Sequence, residues 1–110
     1  MNKSGVQLCL VVRIRACPVR CELYITHAKA KGLFKQLYER KEQIERELKE
    51  RIPDLGLSWE RLPRRKSCRI AEYRPADLEM KKTWAELITW FERRAVAFHD
   101  VFAPIILNLR

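Results

Sequence analysis

Two neighbouring segments near the N-terminus alternate apolar and other side chains, and this pattern constrains the fold more than any other. In the first segment the residues that share the apolar face are Val6, Leu8, Leu10, Val12 and Ile14. In the second they are Val19, Cys21, Leu23 and Ile25. A period of two indicates β-strands, and Ala16-Cys17-Pro18 suits a turn between them. We therefore predict a β-hairpin over residues 6–26.

The hydrophobic period then changes to that of an amphipathic helix. From residue 28 to 51, apolar residues recur at spacings of three and four with one longer step: Leu33, Phe34, Leu37, Tyr38, Ile44 and Leu48. This spacing predicts one helix that ends before Pro53. A second helix is predicted over 83–109. Thr83 and Glu86 form a capping-box pattern at its start, and Pro104 should kink or end it.

A second hairpin is predicted between these helices, over residues 57–73, with its turn at 63–66. The element order is then hairpin, helix, hairpin, helix. The predicted fold class is α+β, with a ββαββα order and a four-stranded antiparallel sheet that carries two helices on one face. The chain has 110 residues, of which 47% are hydrophobic, so a single domain over 1–110 is expected.

The turn of the second hairpin is strongly cationic. Residues 61–74 contain six Lys or Arg and one Glu, and a short hairpin cannot bury so many unpaired charges. The candidate site residues are Arg61, Arg64, Arg65, Lys66, Arg69 and Arg74. Arg forks suit phosphate groups. Alternatively, Glu60, Glu72 or Asp77 could pair with Arg61, Arg69 or Arg74 and stabilise the hairpin.

The whole chain is also basic, with a formal net charge of +9. Such a balance favours contact with polyanions such as DNA or RNA. The sheet face away from the helices is predicted to extend the basic surface with Arg13, Arg15 and Arg20, beside Tyr24. The same face could instead be covered by another protein or by a second copy of the chain.

The sequence offers little for catalysis. Its four cysteines, Cys9, Cys17, Cys21 and Cys68, lack the paired spacing of zinc sites. We predict no metal, no cofactor and no catalytic residue. A metal-dependent nuclease is the enzymatic alternative, with Asp54, Glu79 and Lys81 as its acidic pair and lysine. Without an 18-residue apolar run or a signal-peptide pattern, a cytoplasmic protein is expected.

Several short motifs together resemble a prokaryotic family defined only as a domain of unknown function. They are Trp59-Glu60-Arg61-Leu62, Arg69-Ile70 and Tyr73-Arg74-Pro75, with Leu33-Phe34-Lys35-Gln36-Leu37-Tyr38, Glu22-Leu23-Tyr24-Ile25 and Phe102-Ala103-Pro104. Members of that family resemble C-terminal domains attached to, or encoded near, restriction-endonuclease-like modules. The resemblance implies a DNA-linked or defence-linked role and a nuclease-like partner, and it supplies no catalytic residues.

These observations lead to one expectation and two alternatives. We expect a small basic domain without catalysis of its own that binds nucleic acid or assists a nucleic-acid-processing system. The alternatives are a protein-interaction or dimerisation module that uses the open sheet face, and the metal-dependent nuclease.

Overall fold

A computed structural model describes residues 5–13, 16–26, 30–76 and 80–108 of the chain. The strands are β1 (Val6–Arg13), β2 (Ala16–Ile25), β3 (Ser58–Glu60) and β4 (Cys68–Arg74). The helices are α1 (Ala30–Glu39), α2 (Lys41–Arg51) and α3 (Trp84–Leu107), the last preceded by a 3-10 turn at Lys81–Thr83. The described part thus has an α+β fold, as the sequence predicts.

The strands form one four-stranded antiparallel sheet in the order β1-β2-β4-β3. The two predicted hairpins, β1–β2 and β3–β4, are both present, and they join through β2 and β4. The two edges of the sheet differ greatly in length. β1 has eight residues and β3 only three.

One face of the sheet forms the core with the helices. The residues of β2 that alternate onto this face are buried: Val19, Cys21, Leu23 and Ile25. They are joined by Cys68 and Ile70 of β4, which stand opposite Ile25 and Leu23. α1 and α3 pack against these strands, and α2 packs against α3. The predicted two-layer arrangement is therefore found.

The predicted helix over 28–51 is two helices, so the expected two-helix ββαββα order is wrong. Arg40 separates α1 from α2 with φ −103° and ψ 16°, outside the helical region. Its N–H donates to Leu37 O at 2.9 Å. This bond spans three residues, as in a 3-10 helix, and not the four of an α-helix. Five polar residues at 39–43 separate the apolar stripes of the two helices. The break lets both stripes face the core.

The start of α3 also departs from prediction, and of the two effects expected of Pro104, a kink or an end, the helix does not show the second. The Thr83 hydroxyl does not cap the helix and instead donates to Met80 O at 2.7 Å within the 3-10 turn. Pro104 does not end the helix, which continues to Leu107. Pro104 has no N–H to donate to Asp100 O, so the helix passes this position without that one backbone bond. Asn108 Nδ2 donates to Pro104 O at 2.9 Å and satisfies that carbonyl.

The core is smaller at its margins than the apolar pattern predicts. Leu10 and Val12 were expected on the core face of β1, yet they are 48% and 49% exposed. On α3, Trp84 and Ile88 were expected in the apolar stripe and are also exposed. The buried stripe of α3 instead includes a charged residue, Arg94. None of the described helices is apolar over enough residues to cross a bilayer.

Candidate functional site

The cationic turn, residues 61–67, connects β3 to β4. Leu62 has φ 49°, a left-handed conformation that non-glycine residues seldom adopt. Arg65 N–H donates to Leu62 O at 2.9 Å and closes a tight turn around Pro63 and Arg64. A strained residue persists only where its surroundings fix the backbone.

Lys31 provides that fixation from the first turn of α1. Its half-buried ammonium donates to Leu62 O at 2.9 Å, to Ser67 O at 3.0 Å and to Arg61 O. An ammonium has three protons, so the three carbonyls use its full donor capacity. The thiol of Cys68 also donates to Arg61 O, at 3.4 Å. One cation therefore holds both ends of the turn.

The side chains of the turn point outward. Arg61, Arg64, Arg65 and Lys66 are all exposed, whereas Ser67 at the base is buried. Within the described residues none of these four cations forms an ion pair. Asp77, which the sequence offers as a partner for this hairpin, lies outside the described residues. The structure thus brings four positive charges together on a fixed backbone.

The open sheet face differs from the cationic turn, because its arginines have carboxylate partners. Glu22 lies at the centre of this face and is only 3% exposed. Arg20 Nε is 3.0 Å from Glu22 Oε2, and Arg69 Nε is 2.8 Å from the same oxygen. The second contact is an ion pair without a directed hydrogen bond, since the Arg69 N–H does not point at the oxygen.

Arg69 is held by further groups on this face. Its Nη1 lies 3.4 Å from Glu60 Oε1, and its guanidinium lies 6.0 Å from the ring centre of Tyr24. Burial lowers the pKa of Arg69, but the Tyr73 hydroxyl and Glu22 outweigh it and leave that pKa raised. Burial and a hydrogen bond to Glu60 raise the pKa of Tyr73. Arg20 and Arg69 balance Glu22 and Glu60, so this network carries no net charge.

Of the remaining predicted arginines, Arg74 does not extend the cationic turn. Arg74 lies on the helix side of the sheet, with its guanidinium 5.8 Å from the ring centre of Trp90. Arg13 ends β1, and its side chain lies outside the described part of the structure, as does all of Arg15. The nine candidate residues therefore do not form one surface among the described residues.

A buried ion pair between α3 and β4 was not predicted: Glu72, which the sequence offers as a partner for Arg61, Arg69 or Arg74, pairs with Arg94 instead. Arg94 Nε donates to Glu72 Oε1 at 2.8 Å, and Arg94 Nη2 donates to Asp54 Oδ1 at 3.1 Å. Gly56 N–H donates to Glu72 Oε2 at 3.1 Å. Both members could have been found as a pair, because each interrupts an apolar row. Glu72 follows Cys68 and Ile70 on one strand face, and Arg94 lies between Phe91 and Phe98.

Catalytic groups do not converge in the described structure. Asp54, named for the nuclease alternative, is paired with Arg94, and Glu79 lies outside the described residues. The described residues contain no group of three His, Cys, Asp or Glu side chains that could hold a metal ion. Burial, with the nearby Glu72 carboxylate, raises the pKa of the Cys21 thiol to about 12, which keeps it protonated and unreactive at neutral pH.

Comparison with known proteins identifies a family and no activity. A family model described as a domain of unknown function (DUF4268) matches residues 1–106. Neither the curated proteins nor the solved structures include a match.

Proposed function

This chain belongs to DUF4268, a family without an assigned activity, and on that premise we propose that it is a non-catalytic domain that binds nucleic acid through the cationic turn. The observation that carries the proposal is the contrast between Lys31 and the cations of the turn that it holds. Lys31 has all three of its donors on backbone carbonyls. Arg64, Arg65 and Lys66 remain exposed, without an ion pair to any described residue.

Preorganisation supports this assignment. A flexible cationic loop loses conformational freedom when it binds, and that entropy cost reduces affinity. The Lys31 contacts hold the turn backbone before any ligand arrives, so less freedom remains to be lost. Bringing several cations close together also costs free energy through repulsion. An anionic partner would relieve that repulsion, which favours phosphate binding at this site.

The proposed binding mode is contact with phosphates rather than with bases. The rings of Tyr24 and Tyr73 lie in the ion-pair network of the open sheet face, so that face is poorly suited to stacking bases. Arginine and lysine contacts to phosphates position a protein but do not read sequence. We therefore expect binding that varies little with sequence and decreases as the salt concentration rises.

Fluorescence anisotropy with labelled duplex DNA and RNA tests the proposal. The test variant carries Arg64→Ala, Arg65→Ala and Lys66→Ala. The matched control carries Arg46→Ala, Lys49→Ala and Arg93→Ala, which remove the same charge from exposed positions on α2 and α3. At low salt we expect the turn variant to bind about tenfold or more weakly than the unsubstituted protein, because three phosphate contacts are lost. The control should stay within about threefold of it.

Equal losses in the two variants would contradict the proposal, since net charge alone would then explain the binding. Undetectable binding of the unsubstituted protein to both DNA and RNA at low salt would also overturn it. A neutral polymer of similar length serves as the negative ligand and should not bind.

A further inference from the structure

Among the described residues, the strand β1 forms an unprotected edge of the sheet. No described strand lies beyond it. Natural proteins usually protect such edges with short strands, prolines or lysines. β3, at the opposite edge, has three residues, whereas β1 has eight and contains neither proline nor lysine. Its one irregularity is a register shift between Val11 and Arg13, so the ladder from Val6 to Val11 is regular.

The backbone groups on this outer edge can be assigned from the first hairpin. Thr26 N–H donates to Gly5 O at 2.6 Å, in the same register as the β1–β2 ladder. In an antiparallel pair every second residue directs its N–H and C=O at the partner strand. Gln7, Cys9 and Val11 therefore face β2. Val6, Leu8 and Leu10 direct their amides and carbonyls away from the sheet.

We propose that β1 pairs with β1 of a second copy of this chain, which joins the two sheets into one of eight strands. The strand is compatible with itself in a two-fold antiparallel arrangement. Leu8 of one copy then stands opposite Leu10 of the other, with the outward backbone groups of both residues aligned. The side chain of Leu10, 48% exposed in the single chain, gains an apolar neighbour on the helix side.

The distribution of charge favours a second copy over an anionic or a cationic partner strand. Between Val6 and Val12 the strand has no charged side chain, so it offers an oppositely charged segment nothing to recognise. Each copy carries a net charge of +9. Pairing through this uncharged strand keeps the charged side chains of the two copies apart, so their mutual repulsion is small there. The remaining repulsion between the copies is long-range, and salt screens it. The dimer should therefore become tighter as salt is added.

Sedimentation equilibrium of the full chain over a range of concentrations tests the pairing. We expect a monomer–dimer equilibrium whose dissociation constant falls at least about threefold between roughly 0.05 M and 0.5 M salt, because screening weakens the repulsion. Nucleic-acid binding responds to salt in the opposite direction. The two proposals therefore stand or fall separately.

Two substitutions of equal charge locate the interface. Leu10→Lys places a charge on the outer edge, whereas Val96→Lys places one on α3, where Val96 is 60% exposed. We expect Leu10→Lys to weaken the dimer at least about tenfold, because a lysine on an edge strand opposes pairing with another strand. Val96→Lys should leave the dissociation constant within about threefold. Leu10→Thr, which retains strand propensity, is measured as well and should weaken the dimer in the same direction.

Three results would overturn this proposal. The first is a monomer at every concentration, which would mean that another segment or protein covers the edge. The second is a dimer that weakens with salt, as ion pairs across the open sheet face would produce. The third is a dimer that Leu10→Lys and Leu10→Thr leave unchanged.

Discussion

At the scale of single residues, Lys31 is the position on which the cationic turn depends. Lysine usually lies on the surface with its ammonium in water. Here the ammonium is directed at the carbonyls of Arg61, Leu62 and Ser67. These contacts fix the backbone of the turn, and they hold Leu62 in its left-handed conformation.

Lys31→Met tests this role while it preserves most of the side chain's volume. We expect the free energy of unfolding to fall by about 1 to 3 kcal/mol, because charge-assisted hydrogen bonds are lost and carbonyls are left unsatisfied. Urea denaturation measures the change. Lys35→Met removes the same charge from an exposed position one turn later on α1, and it should change stability by less than about 0.5 kcal/mol. Equal effects of the two substitutions would show that the carbonyl contacts stabilise nothing.

Cys21 is expected to make the free energy of unfolding depend on pH in the alkaline range. Burial raises the pKa of this thiol to about 12 from an ordinary value of 9.0. A group with a raised pKa stabilises the fold fully below its unfolded pKa. That contribution is lost as the pH rises toward the folded pKa, because the unfolded thiol then ionises while the folded one cannot.

We therefore expect the stability of the unsubstituted protein to fall more steeply above pH 9 than that of Cys21→Ala. Between pH 8 and pH 10 the two curves should converge by about 1.4 kcal/mol, the linkage for one pH unit above the unfolded pKa. Denaturation midpoints measured across this range give the comparison. Parallel curves would mean that the Cys21 thiol ionises as readily in the folded protein as in the unfolded one.

At the scale of secondary-structure elements, α3 is tied to the sheet by charge as well as by apolar contact. The Arg94–Glu72 pair joins α3 to β4, and the exposed Asp54 brings in the loop after α2. Arg94 also lies 5.1 Å from the ring centre of Trp90 on its own helix. Such a pair fixes the position of the helix over the strand. Its net stabilisation is small, since both charges had to leave water.

A double-mutant cycle separates these two effects. Arg94→Met alone should cost about 3 to 5 kcal/mol, because it leaves Glu72 charged and buried without its partner. Arg94→Met combined with Glu72→Leu should cost less than Arg94→Met alone, since no buried charge remains unpaired. Chemical denaturation provides the free energies. A double variant less stable than Arg94→Met alone would contradict this explanation of the pair.

The elements that the sequence predicted well are those with local signals. The alternation of β2 and the spacing of Phe91, Phe98 and Phe102 on α3 follow from the backbone periods of a strand and a helix, so these buried faces could be predicted from the sequence. The exposure of Trp84 and Ile88 at the start of α3 could not. The break at Arg40 had a signal, the long step between Tyr38 and Ile44. Its effect depends on how α1 and α2 pack, which is not local. For the same reason the exposure of Leu10 could not be foreseen, since it depends on where the helix layer ends.

The candidate site shows the same limit of sequence reasoning. The cationic residues 64–66 were predicted correctly as an exposed turn, because no short hairpin could bury them. The arginines of the strands could not be assigned in this way. The contact of Arg69 with Glu60 on β3 is one of the pairs that the sequence offers as an alternative. Its contact with Glu22 on β2 depends on β2 and β4 being neighbours in the sheet, which no local pattern indicates. Lys31 had no signal, because its partners are backbone carbonyls that no sequence pattern marks.

At the scale of the whole molecule, the net charge of +9 is unevenly placed. The open sheet face is balanced by Glu22 and Glu60, while the cationic turn is balanced by none of the described residues. Long-range attraction would draw a polyanion toward the protein as a whole. Close contact would then occur at the turn, whose cations form no ion pair with any described carboxylate.

The salt dependence of duplex DNA binding tests this central claim most directly. Each phosphate contact contributes about 0.9 to the slope of log K against log salt concentration. We expect the magnitude of the slope to decrease by about 2 to 3 when Arg64, Arg65 and Lys66 are replaced by alanine, since each substitution removes one phosphate contact. The control triple at Arg46, Lys49 and Arg93 should change it by less than about 1. If the magnitude of the slope decreased equally in both variants, or in neither, the assignment of phosphate binding to the turn would be contradicted.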